Sequence, residues 1–152
     1  MREIRYVYAA RMTADADGRL TVRFPDVPEA LTDGTTFEDA MAEAQDALST
    51  ALIGYVLDGR PVPQPSAPRR GQHLVAPHPR TSLKIALATE AKRQGIRAAE
   101  LARRLGVDHK EARRILDPRH PTKADRLAEA LGAIGVGVSV GVYDAASRAK
   151  AA

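Results

Sequence analysis

Three groups of residues in this 152-residue chain have the types that do chemistry, and two of them fail on spacing. Asp15-Ala16-Asp17-Gly18 begins like a calcium loop, but the later ligands and the glutamate at the twelfth position do not follow. His73, His78, His109 and His120 are not clustered at metal-ligand spacing, and with no cysteine there is neither a thiolate site nor a disulfide. A two-metal nuclease needs carboxylates converging from neighbouring strands. The first expected strand, Ile4–Arg11, offers Arg5 and Arg11 and no Asp or Glu. Phosphate-binding loops, GxSxG and dinucleotide fingerprints are absent from the sequence. The expectation is therefore no catalytic residue, no metal, no cofactor and no enzyme. The third group is cationic: His109, Lys110, Arg113 and Arg114, with Arg97 upstream. Its chemistry is contact with a polyanion, in which Lys and Arg grip phosphates or donate to guanine edges.

Those cations need a rigid support, and residues 97–116 have the pattern of a helix-turn-helix. Such a motif requires a small residue where two helices cross, here Ala102. Four residues on it requires a glycine for a left-handed turn, here Gly106. Leu101, Leu105 and Val107 supply apolar contacts, Asp108 is placed to cap the second helix, and Glu111 completes a capping-box pair. At about 100° per residue, Ala112, Ile115 and Leu116 fall on one side of that helix. The four cationic residues fall on the other side, as a helix reading the major groove requires. Ala112 stands where a branched apolar residue is usual.

The charge is split to match. Residues 1–68 hold 6 Lys/Arg against 11 Asp/Glu, a net of −5, whereas residues 69–152 hold 17 against 8, a net of +9. A basic half suits a polyanion and an acidic half a basic partner. The hydrophobic fraction is 44%, with two Phe and no Trp, so aliphatic residues must fill the core. The first residues lack the apolar stretch of a signal peptide, and no apolar run reaches 18 residues, so a cytoplasmic protein without membrane spans is expected.

The N-terminal half reads as an antiparallel sheet plus one helix. Ile4, Tyr6 and Tyr8 alternate with Arg5, Val7 and Ala9, and Leu20, Val22 and Phe24 alternate with Thr21 and Arg23. Asp15-Ala16-Asp17-Gly18 is the turn between them, and Ala30-Leu31-Thr32 fits a short third strand. Thr35 and Glu38 have capping-box spacing, so Thr35 is the expected N-cap of a helix burying Phe37, Ala40, Met41, Ala44, Leu48, Ala51, Leu52 and Tyr55. Asp58-Gly59 ends that helix.

A proline-rich connection at residues 60–70 follows, with Pro61, Pro63, Pro65 and Pro68 excluding a helix or a central strand. His73–Ala76 fits a short strand. If it rejoins the first sheet, the boundary lies near Pro77 rather than Pro65. The spacing then predicts a helix from a Thr81 or Ser82 cap to Gln94, with Leu83, Ala86, Leu87 and Ala91 inward. At the far end, Val136, Val138, Val140 and Val142 alternate with Gly or Ser, the pattern of a strand suited to pairing between chains. The predicted class is α+β, with domains at residues 1–77 and 78–152.

Phe24-Pro25-Asp26-Val27-Pro28, Thr32-Asp33-Gly34-Thr35-Thr36-Phe37-Glu38-Asp39-Ala40, Ala44 and Ala47-Leu48 together resemble the signature of HicB antitoxins. The order that follows is similar too: an Asp-Gly, a proline-rich stretch, a helix-turn-helix of the lambda-repressor type and a terminal strand. The resemblance implies a small, partial, degraded ribonuclease-H-like domain that neutralises a HicA-like mRNA-cleaving toxin. It also implies an all-α helix-turn-helix domain that binds operator DNA, and a homo-oligomer, dimer or tetramer. From charge alone, Asp26, Glu29, Asp33, Glu38 and Asp39 are the candidate toxin contacts. A stand-alone repressor whose N-terminal domain senses a small ligand is the alternative.

Overall fold

The computed structural model describes residues 1–144. Its elements are β1 (Tyr8–Ala14), β2 (Leu20–Arg23), β3 (Thr32–Gly34), α1 (Phe37–Leu57), β4 (His73–Val75), α2 (Pro79–Gln94), α3 (Ala98–Leu105), α4 (His109–Leu116) and α5 (Ala124–Ala133). The architecture is α+β, as expected. The chain divides into two compact units: Met1–Leu52 with Pro63–His78 and the described residues from Val142, and Ile53–Val62 with Pro79–Gly141.

The sheet of the first unit has the order β3-β2-β1-β4, every neighbouring pair antiparallel. Tyr8 opposes Val75 and Ala10 opposes His73, so the strand near His73 joins this sheet. The first strand begins four residues later than expected. Tyr8, Ala9 and Ala10 are all buried, which a half-buried strand would not allow. Successive side chains point to opposite faces. Ala9 lies beside Pro25, Ser66 and Ala67, and the Tyr8 hydroxyl donates to the Pro63 carbonyl at 2.8 Å. Part of the proline-rich segment thus shields an inner strand, and the alternation of Ile4–Tyr8 marks no strand start.

In the β1–β2 turn the Asp15 carboxylate accepts from the amides of Asp17 (2.9 Å) and Arg19 (2.8 Å), while Gly18 takes φ +80°. Asp15 is thus a turn-former rather than a metal ligand. The third strand starts at Thr32, two residues past the expected Ala30, and the helix cap moves by one residue. Thr36 accepts from the Asp39 amide at 3.1 Å, and the Asp39 carboxylate returns to the Thr35 amide at 2.8 Å. The box is therefore Thr36–Asp39, because Gly34 is pressed against the first turn of α1 and Thr35 must still extend from the sheet. A Cβ on Gly34 would lie 2.4 Å from the Ala40 nitrogen.

The helices of the second unit bury Leu87, Ala91, Leu101, Ala112, Ile115, Leu127 and Leu131 in one cluster. Helix α2 starts at Pro79, ahead of the expected Thr81 or Ser82 cap, since proline suits a first-turn position that needs no amide donor. Gly95 stops it at φ +68°, with the Ile96 amide closing onto the Ala91 carbonyl at 2.8 Å. The strand expected at Val136–Tyr143 is not formed. Gly135 is left-handed (φ +82°), and the Val136 amide returns to the Leu131 carbonyl at 2.9 Å. Val136 thereby becomes part of the α5 terminus and packs on the core. Residues 137–144 make no ladder with a described strand, and a strand exists only through such ladders.

Candidate nucleic-acid interface

Helices α3 and α4 are eight residues each, too short to be stable alone, so their ends must be fixed by caps and packing. Gly106 takes φ +66° and ψ +33°, and its amide and that of Val107 both return to the Ala102 carbonyl. This left-handed turn reverses the chain within two residues. Asp108 then caps α4, its carboxylate accepting from the Glu111 amide at 2.7 Å. Leu101, Ala102, Ala112 and Ile115 are buried between the two helices and α5.

The exposed surface of α4 carries His109, Lys110, Arg113 and Arg114. Arg97, exposed as well, precedes α3. Several other cations of the unit are matched internally. Arg103 and Arg104 grip Glu100 at 2.6 and 2.8 Å, and Arg126 pairs with Glu129 at 2.9 Å. The two arginine hydrogen bonds pull the Glu100 carboxyl down to about 2. Among the described residues, Arg97, Lys110, Arg113 and Arg114 make no ion pair. The folded unit leaves these cations available while pairing Arg103, Arg104 and Arg126.

Sequence reasoning missed what holds this helix. Lys84 on α2 is 2% exposed, and its ammonium donates to the carbonyls of Arg114 (3.0 Å), Ile115 (2.9 Å) and Asp117 (2.8 Å) and to the Thr122 hydroxyl (2.8 Å). These are the orphan acceptors at the C-terminus of α4 and in the following turn, where a positive charge also meets the negative end of the helix dipole. Burial pushes the Lys84 pKa down to about 8, with Asp117 opposing and Arg80 reinforcing the fall. A signal was present, since Lys84 lies three residues before Leu87 and seven before Ala91, on the stripe those residues define.

Several of the charge-selected carboxylates of the first unit have internal work. Asp26 accepts from the Ser66 amide and hydroxyl at 2.8 and 2.7 Å, Asp33 pairs with Arg19, and Asp39 caps α1. Glu29 and Glu38 are exposed. Val138, Val140 and Val142 are exposed at 42%, 87% and 95%. Among the described residues no group of three or more His, Cys, Asp or Glu side chains could hold a metal, and no helix is long and apolar enough to cross a membrane.

A small antiparallel sheet with one helix, followed by short helices presenting unpaired cations, fits a regulatory protein of a bacterial toxin–antitoxin system. Residues 7–86 match the family model described as the HicB-like antitoxin of such systems. Antitoxin HicB 2 of Photorhabdus laumondii is 41% identical over 128 residues, covering 84% of this chain and 90% of that protein. Antitoxin HicB of Escherichia coli K12 is 35% identical over 133 residues, covering 88% and 96%. Antitoxin HicB of Pseudomonas fluorescens is 34% identical over 119 residues, covering 78% and 82%. The chain belongs to the HicB-like antitoxin family.

Proposed function

We propose that this chain is a non-enzymatic cytoplasmic antitoxin that neutralises a HicA-like mRNA-cleaving toxin with its N-terminal domain, residues 1–77. Its C-terminal domain, residues 78–152, represses the shared operon by binding operator DNA. The observation that carries the DNA half is the exposed face of α4, where Lys110, Arg113 and Arg114 have no internal partner while Arg103, Arg104 and Arg126 do. Support for the toxin half comes from the antitoxin relatives and from the net charge of −5 on residues 1–68.

In this reading the basic half steers the chain to the polyanion. Arg97 and part of the α4 set neutralise phosphates and fix register, and the N-terminal residues of α4, His109 and Lys110, reach base edges in the major groove. The valines at 138, 140 and 142, with Val136 at their base, are the surface for pairing with a second copy. A twofold homo-oligomer sets two copies of α4 about 34 Å apart, one turn of DNA. The test is the salt dependence of binding to a DNA fragment from the chain's own promoter. Each phosphate contact contributes about −0.9 to the slope of log K against log salt, so removing Arg113 from both protomers of a dimer flattens the slope by about 2. A slope near zero for the unaltered chain rejects the reading.

A further inference from the structure

One face of the sheet in the first unit carries a cavity of about 210 Å³ whose lining includes Ala9, Arg11, Asp26, Ser66, Arg69 and Gln72. Ala9 and Arg11 lie two apart on β1 and so share that face. Arg23 stands directly opposite Arg11 on β2, which adds a second cationic residue to the same face. Like charges set directly opposite each other destabilise a sheet, and here no carboxylate relieves them. Among the described residues the side chains of Arg11, Arg23 and Arg69 make no ion pair or hydrogen bond. Asp26 does line the cavity, but its two oxygens are engaged by the amide and hydroxyl of Ser66 at 2.8 and 2.7 Å. A unit whose sequence is acidic overall thus holds a basic concavity.

A second observation points to a ligand. Gln72 is 6% exposed, and its Oε1 accepts from the Arg69 amide at 2.6 Å. An N–H donor requires the oxygen at that end, which leaves the Nε2 hydrogens for another acceptor. Among the described residues Nε2 has none. A buried amide donor without an acceptor, in the wall of a cavity lined by two guanidinium groups, calls for an oxygen-rich anion. We propose that this cavity binds a phosphate group, with Arg11 and Arg69 clamping it, Gln72 donating from Nε2 and Arg23 adding charge from the neighbouring strand. The guanidinium fork matches phosphate oxygens in pairs, and a dianion answers two or more cations better than a single carboxylate does. The cavity is smaller than the roughly 300 Å³ at which pockets for larger organic ligands begin. Its lining has no aromatic side chain on which a base could stack, so recognition is of the phosphate and not of a nucleobase. The site is already organised: the Asp26–Ser66 pair and the Gln72 carbonyl hold the segment that carries Arg69. It stands apart from the α4 face and from the toxin-neutralising reading.

The test follows the amide resonances of Ser66, Arg69 and Gln72 in the full-length chain, so that binding at α4 is read separately. Inorganic phosphate, acetate and a short single-stranded RNA are titrated in turn at constant ionic strength. The prediction is saturable shifts at these three residues with phosphate, at a Kd of about 1 mM or tighter. Arg11→Gln and Arg69→Gln should each weaken it by about tenfold or more, whereas Arg70→Gln, the same charge change one residue away, leaves it within about twofold. All three arginines are exposed, so these variants should keep the fold. Saturation by phosphate but not by RNA assigns a free phosphate as the source, and tighter saturation by RNA assigns a backbone phosphate. Both outcomes support the site. The absence of saturable shifts with either, acetate binding as tightly as phosphate, or equal losses in Arg70→Gln and Arg11→Gln would overturn it.

Discussion

The Nζ of Lys84 lies 2.9 Å from the carbonyl oxygen of Ile115, so a buried charge on α2 holds the end of the helix that presents the cationic face. Four acceptors converge on its three N–H groups, and the side chain is 2% exposed. A clamp of this kind fixes the orientation of an eight-residue helix that its own hydrogen bonds cannot stabilise. Lys84→Met keeps the aliphatic stem and strands three carbonyls and a hydroxyl without their donor. The expected loss is about 2–4 kcal/mol, read by urea unfolding. A loss below about 0.5 kcal/mol would mean that water replaces the ammonium and that the clamp contributes little.

The same group sets a pH dependence. Its folded pKa of about 8 lies below the ordinary lysine value of 10.5, so between those pH values the unfolded chain binds more protons than the folded one. The contribution of Lys84 therefore makes the unfolding free energy rise as pH increases from 8 to 10.5, by at most about 3 kcal/mol. A titration of the lysine side-chain carbon resonances should show Lys84 with a midpoint near 8. A midpoint above 10 would show that the carbonyl cage outweighs the cost of burial.

Glu100 behaves in the opposite sense. Arg103 and Arg104 hold its carboxyl at about 2, below the ordinary value of 4.5. Its contribution is present above pH 4.5 and is lost as pH falls toward 2. Acid unfolding followed by helical circular dichroism should show a smaller loss of stability over that window in Glu100→Gln than in the unaltered chain. Equal acid sensitivity would place the two ion pairs among surface contacts of no consequence.

Two glycines separate a steric requirement from a tolerance. A Cβ at Gly34 would meet the backbone of Ala40 at 2.4 and 2.5 Å, so Gly34→Ala must push α1 away from β3. The expected destabilisation is about 3 kcal/mol or more. Gly54, inside α1, has nothing within 4 Å of the corresponding position, and Gly54→Ala should stabilise by about 0.5–1 kcal/mol through helix propensity. Thermal melts of the two variants shifting in the same direction would refute this contrast.

The parts legible in the sequence were those where one local rule acts alone. Gly106 and Asp108 had to be a left-handed turn and a cap, and the division of α4 into Ala112 and Ile115 against Lys110 and Arg113 followed from helical periodicity. What escaped depended on partners distant in sequence. Tyr8–Ala10 are buried in succession because residues 63–67 return over the strand, and no window around β1 contains that information. Lys84 drew no reading at all, because its acceptors lie 30 to 38 residues away. The Val136–Val142 alternation promised a strand, yet alternation describes a face and cannot supply the backbone that completes a ladder. The acidic residues were selected by charge, and only the coordinates show that Asp26 is already bound to Ser66.

The central claim is a division of labour, with the α4 face reading DNA and the N-terminal domain restraining the toxin. The most direct measurement compares the Lys110→Ala, Arg113→Ala double variant with the unaltered chain in two assays on the same preparation: operator affinity by mobility shift, and rescue of growth from the co-expressed toxin. Both side chains are exposed on α4, so folding should be preserved. The account predicts operator affinity reduced by a hundredfold or more, about 3 kcal/mol, with growth rescue unchanged. Operator affinity that survives the double change, or rescue that collapses together with it, would contradict the account.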